Sequence, residues 1–384
     1  MYPGIDSDVD AYIFTHFTDD LSRKLTLNQE DGKPFLELLV PMAIKYQGLM
    51  HALLCMSASH LLEKDSEQFA ERQAYHYRNA CRMLRQGLSE RLPESLDGAD
   101  AADRMIDDPT VASTLVLCLD TIYRGDTKGE HRAHLNTTKE LLAQRSRHPE
   151  FNAFLFEFFT YHHVLNDMTS LARHPPLRIH EDLELPRFIY QPEAGVLLGV
   201  MDGLFGYISR IIKVRDKIRR RMQDQLQPTV NYQLVTEACV LDTGIRSWLP
   251  AQKEDSPQHI AAQLYRQCTW IWLYRTMFPS RPSEKLCTAV DEGLVYLRQL
   301  PPDASTQSIL LMPLFMLGCA AFLPEQRPDI RRAFGTLKRY SNLENIEPAR
   351  QVVERIWQLM DAKDEASWDW ETIITGMGLD FLVT

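Results

Sequence analysis

His163 and Asp167 stand four residues apart in the run FLFEFFTYHHVLNDM, Phe154 to Met168, so on a helix they lie one turn apart on one side. A carboxylate so placed can fix the imidazole tautomer and raise its basicity, which is how a general base is polarised. The same spacing more often makes a surface pair contributing about 0.2–0.5 kcal/mol. Asp202 is the third group of this kind. It interrupts the apolar stretch Gly195 to Ile212, where an unpaired carboxylate would cost several kcal/mol and therefore needs a structural partner or a ligand. His163, Asp167 and Asp202 are the polar groups expected in a ligand pocket between the Phe151 to Ala172 and Gly195 to Ile212 segments.

The remaining histidines and cysteines point away from metal and redox chemistry. His131 and His134 have helical spacing but no third ligand nearby, so no metal site is expected. His60 shares a helical side with Leu49, Leu53 and Met56 and reads as a hydrogen-bonded core histidine. Seven single cysteines, Cys55, Cys81, Cys118, Cys239, Cys268, Cys287 and Cys319, include no C-x2-C pair and read as small hydrophobes. Glycine-rich phosphate loops, G-x-S-x-G and H-E-x-x-H are absent, and no cofactor is expected.

These groups must be positioned by helices. Apolar residues recur at three and four spacing between Pro-rich breaks, which predicts an all-α fold, a single array of packed antiparallel helices. Asp108-Pro109, Ser256-Pro257 and Glu347-Pro348 mark helix starts. Breaks fall at Leu92 to Asp108, His174 to Glu193 and Pro250 to Ser256, then at Pro301-Pro302 and Pro324 to Pro328. Gly195, Gly199 and Gly203 fall on one side of a helix, where a neighbour can approach closely. The segment Ser209 to Met222 is amphipathic, with Arg210, Lys213, Lys217, Arg220 and Arg221 opposite Ile211, Val214, Ile218 and Met222. Such a basic stripe reads as a solvated helix face.

Forty-two Lys and Arg against 52 Asp and Glu leave a net charge of -10, which opposes attraction to a phosphate backbone or an anionic membrane. Asp202 and Arg210 within the longest apolar stretch favour a core helix over a membrane span. Asp6, Asp8 and Asp10 occupy the start of the chain without an apolar run, so an intracellular protein is expected, in nucleus or cytoplasm.

Six blocks in order resemble the regulatory domain of fungal zinc-cluster transcription factors. They are PMAIKYQGLMHALLCMSASHLL from Pro41, VASTLVLCLDTIYRGD with HLNTTKELL from Val111 and His134, and FLFEFFTYHHVL from Phe154. GVLLGVMDGLFGYISRI from Gly195, MPLFMLGCAAF from Met312 and the closing ERIWQLMD and WDWETIITGMGLDFLVT complete the set. The family commonly has an acidic residue where His162 or His163 stands, so the chain departs from it there. The resemblance implies a helical regulatory domain over residues 1–384, with 1–33 as a lead-in and without the zinc cluster that reads DNA in such proteins.

It implies a transcription-regulator-like protein in a secondary metabolic pathway. Such a protein would act through a small apolar ligand, a protein partner or a homodimer, without binding nucleic acid or membrane itself. The alternative is the same fold turned into a cofactor-free cyclase or isomerase for an apolar molecule, chemistry that needs shape and few polar groups.

Overall fold

The computed structural model describes residues 2–27, 33, 35–62, 66–91, 107–144, 149–170, 203–278 and 282–384. Among them the protein is all-α, and the one β contact is an isolated bridge between Lys128 and Asp380. Numbered along the chain, the main helices of the first half are α1 (Asp8–His16), α2 (Gln47–Leu61), α3 (Ser66–Arg91), α4 (Asp108–Tyr123), α5 (Glu130–Gln144) and α6 (Pro149–Thr169). Those of the second half are α7 (Leu204–Gln223), α8 (Tyr232–Ser247), α9 (Pro257–Met277), α10 (Glu284–Gln299), α11 (Leu311–Ala320), α12 (Arg327–Ser341), α13 (Ile346–Asp361) and α14 (Trp370–Gly376).

The burial of each helix follows its pattern. α2 and α11 are apolar nearly all round and lie inside, α2 against α1, α3 and α4, and α11 against α9, α12 and α13. α13 is strongly amphipathic and turns Val352, Val353, Ile356 and Trp357 inward. α9 is the hub of the second half, packing on α7, α8, α10 and α11. The buried side chains form one cluster reaching from Ile5 to Val383.

The helix starts differ in detail from their sequence marks. Ser256 caps α9 with Pro257 in the first position, as read from the sequence. For α4 the cap is Asp107, whose side chain accepts from the Thr110 amide at 3.1 Å, one residue before the expected Asp108. α13 begins at Ile346, so Pro348 is its third residue, still within the turn whose amides need no helical acceptor.

Gly203 departs further from its expected place. It precedes α7 with φ of +79°, a conformation that costs glycine nothing, so it ends the preceding chain path and does not line a helix face. The expected helix over Gly195 to Ile212 is therefore α7 only from Leu204 onward, and residues 195–202 lie outside the described residues.

The C-terminal residues close the array. Phe381, Leu382 and Val383 are buried, Thr169 donates to the Phe381 carbonyl at 2.6 Å, and Asn345 Nδ2 donates to the Thr384 carbonyl at 2.7 Å. Arg215 of α7 grips Glu371 of α14 through Nε at 2.7 Å and Nη2 at 2.5 Å, both side chains fully buried. Its guanidinium also lies over Trp370 at 3.8 Å and Trp368 at 4.4 Å. Removing one partner of such a buried pair costs about 3–5 kcal/mol, because the other charge is left unpaired.

Candidate functional site

The structure brings His163 and Asp167 together on α6 as expected, both half-buried. Phe159 stacks on the His163 ring with centroids 5.2 Å apart. Burial lowers the His163 pKa, and the nearby charge of Asp167 works against that. The third expected group, Asp202, lies outside the described residues. The aromatic stripe of α6 belongs to the core, with Phe154, Phe158, Tyr161, Leu165 and Met168 all buried.

Other histidines form polar clusters that sequence spacing did not reveal. Asp10, His76 and His51 are buried in a row, with His76 Nε2 2.9 Å from Asp10 Oδ1 and His76 Nδ1 2.8 Å from His51 Nδ1. Burial opposes ionisation of Asp10, yet hydrogen bonds from Arg72 and His76 prevail and hold its pKa at about 2. Burial and repulsion by His76 take His51 down to about 4. The row looks like a charge relay, but its members are sealed in and serve to join α1, α2 and α3. His60 is the core histidine expected, with Nε2 2.8 Å from the Ser341 carbonyl. His131 is buried and bonded through Nδ1 to Asp126 at 2.9 Å.

Of the cysteines, Cys55, Cys118, Cys268 and Cys319 are buried and Cys81 and Cys287 partly so, while Cys239 is exposed. The basic stripe of α7 is solvated at Lys217, which pairs with Glu237 at 2.7 Å. Arg215, on the same helix, is instead wholly buried.

An apolar opening lies between α8, α9 and α10. It is an apolar cleft of about 560 Å³, whose lining includes Val235, Cys239, Leu273, Met277, Phe278 and Lys285. Its shape follows from two helix faces. Val235, Ala238, Cys239 and Asp242 repeat along one side of α8. Trp270 and Tyr274 of α9 and Phe278 just past its end rise at four-residue spacing, with neighbouring centroids 5.4 and 4.9 Å apart. Behind the cleft, Gly244 lets α8 press on α7, since a Cβ there would stand 2.5 Å from Tyr207 Cε1.

Polar groups gather at the Trp270 end. The indole Nε1 donates to Asp242 at 2.6 Å, and Arg246 binds the same carboxylate while lying 5.1 Å over the indole. Lys285 Nζ stands 5.2 Å from the Trp270 ring and 5.6 Å from that of Tyr274, and makes no ion pair among the described residues. A second, more polar cleft of about 610 Å³ continues past Trp270 along α10, again with Lys285 in its wall. The volume of the first falls within the range of small-molecule sites, and its chemistry suits an apolar body with an acidic group at Lys285.

Sequence reading missed this cleft, although Trp270 and Trp272 carried a signal. Two residues apart on a helix they point to nearly opposite sides, so one core cannot take both. Trp272 faces the interior and Trp270 edges the cleft.

An all-α array with an open apolar cleft does not by itself define a function. The match to known families is more specific: the fungal specific transcription factor domain covers residues 12–384, nearly the whole chain, and the protein belongs to that family. Comparison with curated proteins and with solved structures finds no match. Membership supports a regulatory type of role. Among the described residues no helix is long and apolar enough to cross a membrane.

Proposed function

We propose that the protein is a transcriptional regulatory domain that takes up a small apolar ligand bearing an acidic group in the cleft between α8, α9 and α10. It acts in a metabolic pathway, in nucleus or cytoplasm, through protein partners that bind DNA. The carrying observation is the cleft itself, an apolar wall with Lys285 at its edge, which makes no ion pair among the described residues. A net charge of -10 and the lack of any C-x2-C pair in these 384 residues support action through partners.

The test is mass spectrometry of small molecules that copurify with the protein under native conditions. The expected result is an apolar acid bound to the natural protein, lost on Cys239→Trp, which fills the cleft from an exposed position. Lys285→Glu should weaken that binding roughly 10-fold or more, since a charge-assisted contact contributes about 1.5–3 kcal/mol. Equal recovery from the natural and cleft-filled proteins, or no bound molecule at all, would refute the assignment.

A further inference from the structure

Among the described residues, the opposite face of α9 carries a charge without a counter-charge. Arg275 is 1% exposed. Its Nη2 donates to the Ser367 carbonyl at 3.0 Å, and its guanidinium lies 5.0 Å over Phe322, but Nε and Nη1 have no hydrogen-bond partner among the described residues. On the same face of the helix, one turn away or adjacent, the Trp272 indole Nε1 and the Thr276 hydroxyl are also without partners among the described residues. A fifth such donor atom, Nη1 of Arg215, comes from α7. The two guanidinium groups are neighbours, because Arg215 donates to the Trp368 carbonyl at 2.8 Å while Arg275 holds that of Ser367.

The carboxylates nearby are already committed to other cations. Glu371 takes Arg215 and Arg219, and Asp369 takes Arg219 at 2.7 Å. Asp216 stands 3.8 Å from Arg219 on the partly exposed side. The Cys319 thiol lies within reach of both arginine charges, but burial pushes its pKa up, so it is neutral near pH 7. Burial, together with the charge of Arg215, draws Arg275 down to about 10, which still leaves it protonated at neutral pH. A buried guanidinium with two idle donors and no counter-ion is costly, as are buried indole and hydroxyl donors left unpaired.

We propose that a small monoanion, a halide or the carboxylate of a short acid, binds in the core between Arg275 and Arg215, held also by Trp272 Nε1 and Thr276 Oγ1. It completes the charge balance of the arginines and fastens α9 and α7 to the turn Glu365–Trp368 that leads into α14. This site is separate from the cleft, which lies on the other side of α9, and it stands or falls independently of the ligand assigned there.

The experiment is thermal unfolding of the full chain at fixed ionic strength, with gluconate exchanged stepwise for chloride, bromide or formate from about 1 to 100 mM. The midpoint of the natural protein should rise with the logarithm of the entering anion. Trp272→Phe should need roughly 2- to 10-fold more anion for the same rise, as expected for one lost hydrogen bond. Arg275→Met, similar in length and without charge, should melt independently of anion type. A response to chloride and bromide alone identifies a halide site, and a response to formate identifies a carboxylate site. Crystals grown with bromide give a second reading that does not depend on the variants folding, an anomalous peak between the two guanidinium groups. Equal midpoints in all four salts with no bromide peak, or an equal rise in Arg275→Met, would overturn the proposal.

Discussion

The buried histidines make the protein's stability depend on pH in a defined window. His51 and His162 are both drawn to about 4, chiefly by burial, against about 6.5 in an unfolded chain. With the folded pKa below the unfolded one, acid protonates the unfolded chain first. The stability these residues contribute is therefore intact above about pH 6.5 and is lost as pH falls through 4. Asp10, held at about 2, adds a loss only at lower pH, below the ordinary carboxylate range. Urea unfolding midpoints should accordingly fall between pH 6.5 and 4, and His162→Phe should shallow that fall. A midpoint flat across this range would contradict the reading. These residues were hidden in the sequence because their partners are tertiary: Asp10 and His76 meet across 66 residues, and His51 and His76 across 25. The pair that spacing did reveal, His163 and Asp167, shares one helix, which is the kind of neighbour a sequence exposes directly.

Helix packing is set at a few close approaches. On α11, a Cβ at Gly318 would stand 2.5 Å from Val353 Cγ1 of α13, and the Gly318 carbonyl accepts from Trp357 Nε1 at 2.8 Å. Gly318→Ala should therefore destabilise the protein by about 1–3 kcal/mol, the usual result of overpacking a core. Val353→Ala in the same chain should recover part of that loss by making room. Denaturant midpoints of the single and double variants decide this, and a neutral Gly318→Ala would show that the two helices slide apart freely. Element type was legible because apolar spacing repeats along each helix, and Ser256-Pro257 placed the start of α9 correctly. Less legible were positions governed by backbone conformation or by the opposing helix. Gly203 looks like a helix-face glycine until its φ of +79° is seen. Arg215 lies outside the basic stripe read on α7, and nothing in its spacing announces that α14 brings Glu371 over it.

At the scale of the whole molecule, the α-helical class and the family resemblance were open in the sequence, since the ordered blocks, where they are described, fall largely on helices of one array. The cleft was not, because it depends on how α8 and α10 flank α9, and a sequence with two tryptophans on α9 does not say which will be enclosed. In the proposed role, this array regulates transcription through what its cleft binds. The most direct measurement is reporter output in a fungal host when the full chain is fused to a heterologous DNA-binding module. The fusion should change output at least several-fold relative to the module alone, and Cys239→Trp should abolish the change while leaving the protein's level and melting midpoint intact. Output no different from the module alone, or equal output from the natural and cleft-filled fusions, would contradict the claim.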